Sequence, residues 1–131
     1  METILRNEQF DNGVRLEFVE GSNRYFGDYH RLRIEVRCRV ALTAALFPDA
    51  VDPEGETHRV RGLLGEELKW SRSLERMGVA TADLAAVRAE LMDAFAASTF
   101  AYLRAPQFPT RLLAAELEKR KQARRPFRVV K

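Results

Sequence analysis

From His30 to Leu42 the chain alternates in strict period two. His30, Leu32, Ile34, Val36, Cys38, Val40 and Leu42 hold one parity; Arg31, Arg33, Glu35, Arg37 and Arg39 hold the other. Successive side chains of an extended backbone point to opposite faces, so only a strand gathers the apolar set on one side. A helix would scatter the same residues around its whole girth. The segment therefore predicts a long strand with one buried and one charged face. At up to about 13 residues it exceeds the usual strand length of roughly 5–6.

Upstream, "GVRLEFVE" sets Val14, Leu16 and Phe18 against Arg15 and Glu17, a second half-buried strand. "GSN" at 21–23 has the residues of a turn, because Gly and Asn accept positive φ. Together these predict a hairpin over residues 13–42. A hairpin that long is not stable alone in water, so a helix or a second chain must cover its apolar face.

The period then changes. Residues 43–61 hold two prolines, a glycine and four acids, which predicts a solvated connector. The stretch near 67–76 reads either way. As a strand it sets Leu68, Trp70, Arg72 and Leu74 against Lys69, Ser71, Ser73 and Glu75; as a helix it would align Trp70, Leu74 and Met77. Gly62 and Gly65 argue against one continuous helix, which favours a third antiparallel strand. After Thr81, an expected N-cap, the residues Leu84, Val87, Leu91, Phe95, Ser98 and Tyr102 recur at three- and four-residue spacing, with Ala94 and Phe100 nearby, the mark of a long amphipathic helix. "APQFP" ends it, and Thr110 is the expected cap of a shorter helix from 111 to about 124.

The fold class that follows is α+β. An antiparallel sheet of about three strands, built on the 13–42 hairpin, packs against a long C-terminal amphipathic helix and a shorter second one. Residues 1–118 form a single globular domain and residues 119–131 a basic tail. At 131 residues, with 46% hydrophobic and 31% charged side chains, the chain can bury a core. No apolar run approaches the roughly 18 residues of a membrane span. The first residues lack the basic-then-apolar pattern of a secretory signal, and one cysteine cannot form an internal disulfide, so the expected compartment is the cytoplasm.

The net charge of +3 is unevenly placed. Residues 1–118 carry 15 basic and 19 acidic side chains, while residues 119–131 carry 7 basic and no acidic ones. Only the tail is strongly positive. Arginine also outnumbers lysine 18 to 4 beside 17 alanines, the bias of a GC-rich bacterial genome, so arginine abundance by itself is no sign of function.

Several residue groups are candidates for function. The arginine row is expected to be the wet side of a sheet, paired with Glu17, Glu20, Glu67 and Glu75. Its alternative is a nucleic-acid surface made by Arg31, Arg33, Arg37 and Arg39 with Lys119, Arg120, Lys121, Arg124 and Arg125 of the tail. That reading wants interleaved aromatics for base stacking, and only Tyr29 has the required parity. Asp28 and His30 offer an acid–base pair without a nucleophile; the structural expectation is a hydrogen-bonded, half-buried His30 beside a bulge or close approach at Gly27. Asp49, Asp52, Glu54, Glu56 and His58 are acidic and loop-like, but Pro53 and the missing distal glutamate break the calcium-loop pattern. Two histidines and one cysteine make a poor zinc set. No metal or other cofactor is expected.

There is no G-x-S-x-G, P-loop, G-x-G-x-x-G or H-E-x-x-H. The expectation is a non-enzymatic protein–protein interaction module. The alanine-rich helix and the over-long hairpin add self-association, most simply as a homodimer, with nucleic-acid binding as the alternative and no membrane partner.

Overall fold

The computed structural model describes residues 2–124, the side chains of Tyr25 and Arg124 excepted. The architecture is α+β: five antiparallel strands and three helices. The strands are β1 (Ile4–Gln9), β2 (Val14–Glu20), β3 (Asn23–Phe26), β4 (Tyr29–Ala41) and β5 (Glu67–Ala80). The helices are α1 (Pro53–Leu64), α2 (Leu84–Leu103) and α3 (Phe108–Arg124).

The sheet is a meander. β1 pairs with β2, β2 with β4 from Val14↔Val40 to Glu20↔Ile34, and β4 with β5 from Ala41↔Glu67 to Tyr29↔Ala80. β3 continues the line of β2 along β4, Asn23 opposite Arg31 and Phe26 opposite Tyr29. The expected hairpin is therefore present, but its turn is at Gly27–Asp28, not at 21–23. Gly27 has φ +53, which the first central position of a type II′ turn requires. A Cβ added at Gly27 would meet nothing within 4 Å, so the glycine serves the turn and marks no close approach. Gly21 and Ser22 instead bridge β2 to β3: Gly21 N donates to Arg33 O (2.9 Å), and Ser22 Oγ accepts from Arg33 N (3.0 Å).

Two of the five strands lie outside the three-strand expectation. β1, "ILRNEQ", has almost no apolar alternation and is held through backbone pairing to β2. β3 is the far end of the hairpin's first arm.

The parity of β4 is as its sequence demands. Leu32, Ile34, Val36, Cys38, Val40 and Leu42 are buried together with Val14, Leu16 and Phe18 of β2. Helices α2 and α3 close this face with Phe95, Phe100, Leu103, Phe108, Leu112 and Leu113. Phe18 sits edge-on to Phe95 at 5.8 Å and tilted against Phe100 at 6.3 Å. Each such side chain, fully buried, contributes roughly 1.5–3 kcal/mol.

The stripe on α2 differs from its expected course. Ser98 and Tyr102 are exposed, whereas Thr99, Phe100 and Leu103 turn inward. After Phe95 the inward positions run in steps of four through Thr99 to Leu103, with Phe100 beside them packed on Phe18 and Phe10, the latter at 5.3 Å. Neither expected threonine cap acts as one. Thr81 is the first residue of a short 3₁₀ turn, Thr81–Asp83, and binds His30; Thr110 lies inside α3, with Oγ1 donating to Gln107 O at 2.9 Å.

Within the expected connector, residues 53–64 form α1. Asp52 caps it by accepting from Gly55 N (3.1 Å), Pro53 begins it, and Glu54 and Glu56 lie in its first turn. Gly65, at φ +91, ends it. Arg61 then ties the helix back to the sheet, donating to Leu42 O from Nε (3.0 Å) and Nη2 (2.7 Å). Among the described residues no helix is long and apolar enough to cross a membrane.

Candidate interaction surfaces

The face of the sheet opposite the helices carries the charged row. Register aligns Arg15, Arg39 and Lys69 across three strands, then Glu17, Arg37 and Ser71, then Val19, Glu35 and Ser73. Acids interleave with the arginines. Arg15 pairs with Glu67; Arg31 Nη2 is 2.6 Å from Glu75, and Arg33 Nε is 3.7 Å from the same carboxylate. Arg39 reaches Glu17 at 3.9 Å. Arg37 bonds Glu35 and takes Glu2 in a two-pronged contact, Nη1 to Oε2 at 2.8 Å and Nη2 to Oε1 at 2.5 Å. That contact holds the Glu2 carboxyl below its ordinary value and raises the Arg37 guanidinium further.

Glu20 departs from its expected role. It shares the parity of the core and turns toward α2, where Arg88 meets it. Arg33 in turn donates to Ser73 Oγ at 3.0 Å.

The arginines also cover apolar surface. Val19 lies on this outer face yet is only 4% exposed, in register with Glu35 and bordering a hollow shared with Glu2, Arg33 and Arg37. Long stems over a valine with their heads in ion pairs make a satisfied sheet surface. A larger groove, about 530 Å³, is lined by Glu35, Arg37, Arg39, Lys69, Trp70 and Ser71, joined by Glu116 and Lys119 of α3. Its charges are mixed in sign.

The residues of the nucleic-acid alternative thus fall into separate groups. Arg31, Arg33, Arg37 and Arg39 are engaged by carboxylates. Lys119, Arg120 and Lys121 are exposed on the last turns of α3, Lys119 lying 3.1 Å from Glu116. Arg124 is the final residue of α3, and Arg125, with the rest of the basic tail, lies outside the described residues. Tyr29 is on the charged face and 48% exposed. Phe26, its register partner at the hairpin tip, is 73% exposed, and Met77, in the bulge of β5, is 56% exposed.

Asp28 and His30 do not form a catalytic pair. His30 Nε2 lies 2.9 Å from Thr81 Oγ1, and Asp28 engages through its carbonyl, which accepts from Thr81 N at 3.1 Å. The half-buried, hydrogen-bonded histidine is as expected, but its partner is a threonine that sequence spacing does not reveal. Cys38 is buried, and burial pushes its thiol up to about 12, far from a reactive thiolate. Among the described residues no group of three or more His, Cys, Asp or Glu gathers as a metal site. Asp52 and Glu56 are occupied in capping α1 and pairing with Arg59.

One further surface is a backbone edge. β5 pairs with β4 along its length and with no other described strand. None of the backbone bonds made by turns and loops falls on residues 67–80. Among the described residues the outward row of β5 amides and carbonyls therefore has no backbone partner, over the longest strand in the sheet. Sequence reading identified the strand but gave no sign that it would lie at the edge. Comparison with known proteins finds no matching family model, curated protein or solved structure.

Proposed function

We propose that this chain is a non-enzymatic interaction module that works through contacts with other proteins, a second copy of itself included. The observation that carries the reading is the edge of β5, a strand of 14 residues that pairs with no described strand other than β4. Unpaired edges template strand addition, and proteins blunt them with prolines, short strands, covering loops, bulges or charged side chains; β5 carries Lys69, Arg72, Glu75 and Arg76 but stays long and regular from Glu67 to Arg76. β5 has no proline, and its one irregularity is a bulge at Met77–Gly78, close to its far end. The side-chain chemistry supports the same reading. His30 is tied to a threonine, Cys38 is buried, and Arg31, Arg33, Arg37 and Arg39 of β4 are paired with carboxylates where they lie.

A concentration series in sedimentation velocity, together with affinity capture of the full chain, tests the proposal. Association that rises with concentration, or a specific protein retained, supports it. A monomer at every concentration with nothing retained overturns it.

Nucleic-acid binding is the second reading, favoured by the exposed Lys119, Arg120 and Lys121 at the end of α3. It predicts binding that weakens steeply with salt and falls when the α3 end is neutralised but not when Arg31, Arg33 and Arg39 are changed to Gln.

A further inference from the structure

The register of β5 points to a specific partner and alignment. We infer that two copies of this chain join edge to edge through β5, antiparallel about a two-fold axis at Arg72, into one continuous sheet. This rests on the self-association reading and names its seam.

Three observations converge on that alignment. The first is the extent of regular strand. β5 follows β4 one to one from Glu67 to Arg76, and the bulge at Met77–Gly78 then breaks the ladder. Gly78 takes φ +70 there. An antiparallel seam centred on Arg72 pairs 68 with 76 and stops at the bulge, so it uses the regular stretch almost whole.

The second is charge. In this alignment Lys69 lies opposite Glu75 of the second copy, and the two-fold makes the contact twice. Both side chains are on the outer face, Lys69 in register with Arg39 and Glu75 with Arg33. Sliding the copies by two residues in one direction sets Glu67 opposite Glu75, a like-charge contact. Sliding them the other way sets Glu67 opposite Val79 and runs the seam into the bulge. Opposite charges directly across strands attract and like charges repel, so the pattern selects one register.

The third is the inner face. Trp70 and Leu74 are half-buried, each packed on the core from one side. Centred on Arg72, Trp70 of one copy meets Leu74 of the other, again twice, covering apolar surface that α2 and α3 leave open. On the opposite, outer face Ser71 meets Ser73. Arg72 meets itself at the axis, but its guanidinium is drawn over the Phe95 ring of its own chain, 5.9 Å from the centroid.

The test uses the full chain with Lys69→Glu and Glu75→Lys variants, each alone and mixed one to one, by sedimentation velocity. Lys69 and Glu75 are six residues apart on one strand, roughly 20 Å, so they cannot interact within a chain. Each variant alone sets like charges across the seam twice and should weaken dimerisation at least about tenfold. The mixture sets opposite charges across both contacts and should restore a heterodimer near wild-type strength. A fold defect from losing the Glu75 contacts to Arg31 and Arg33 would not be rescued by mixing.

A second variant reads the axis directly. Arg72→Cys should crosslink to itself under mild oxidation, while buried Cys38 stays reduced. Removing residues 125–131 should leave association unchanged. A wild-type dimer with variants that associate equally well, or a mixture no tighter than the weaker variant, overturns this seam and leaves self-association standing. Loss of the dimer on removing 125–131 overturns it in favour of the tail as the edge's occupant. A wild type that never dimerises removes both the seam and the self-association reading.

Discussion

The side-chain amide of Asn12, in the turn between β1 and β2, donates to the carbonyls of Leu103 and Ala105, both at 2.8 Å, while its Oδ1 accepts from Val14 N at 3.1 Å. Residues some ninety positions apart are thus tied where α2 ends. The last carbonyls of a helix have no intrahelical partner, and Asn12 supplies donors to this end. Asn12→Ala should cost about 1–2 kcal/mol in urea unfolding. Asn12→Asp should cost more, because it removes the donors and sets a negative charge against the negative end of the helix dipole, about 0.3–1 kcal/mol further.

Phe18 and Phe26 belong to the two segments of the same hairpin arm, and their fates are opposite. Phe18 is fully buried against Phe95 and Phe100, whereas Phe26 is 73% exposed. Phe18→Ala should lower stability by about 3–5 kcal/mol and Phe26→Ala by less than about 0.5 kcal/mol. Thermal or urea unfolding of the two variants side by side measures the difference.

Acid sensitivity should trace to Glu20. Burial opposes its ionisation, but hydrogen bonds from Ser22, with N at 2.5 Å, and the Arg88 guanidinium outweigh burial and hold the carboxyl below its ordinary 4.5. A carboxyl depressed in the folded state stabilises above the unfolded value and loses that stabilisation as pH falls through the folded one. Glu2, held down by Arg37, adds in the same sense. Stability should therefore fall as pH drops below about 4.5. In Glu20→Gln that acid limb should be shallower, with lower stability at neutral pH, as read by urea midpoints across the range.

Cys38 should be silent in the native protein. With its thiol pushed up to about 12 from 9.0, its thiolate is about a thousandfold scarcer near neutral pH than that of an ordinary cysteine. Reaction with a disulfide reagent at pH 8 should track global unfolding and become rapid only in denaturant. Fast labelling of the native chain would place Cys38 outside the core.

How much of this was legible in the sequence varies by element. The strict alternation of 30–42 carried β4 and its two faces, and Val14, Leu16 and Phe18 carried β2. The acids opposite the arginines were partly visible: Glu17 and Glu75 pair with the row, while Glu67 goes to Arg15 of β2 and the parity of Glu20 takes it to Arg88. α1 was missed although Asp52 and Pro53 are a sound helix start. Its interior holds two glycines and buries only Thr57 and Val60, so no apolar stripe announced it. The stripe of α2 was recognised as helical but lost its phase after Phe95. Three- and four-residue steps are equally good on a helix in isolation, and only the positions of Phe18 and Phe10 choose between them.

Period and parity were thus settled by the order of residues alone, because they follow from the geometry of a single extended or helical segment. Partnership was settled only in three dimensions. The bonds that place β1 beside β2, that leave β5 at the edge and that join Asn12 to the end of α2 run to backbone groups. Every residue but proline presents both an N–H and a C=O, so the backbone is blind to sequence, and which strand finds which neighbour is decided by how the apolar faces pack as a whole.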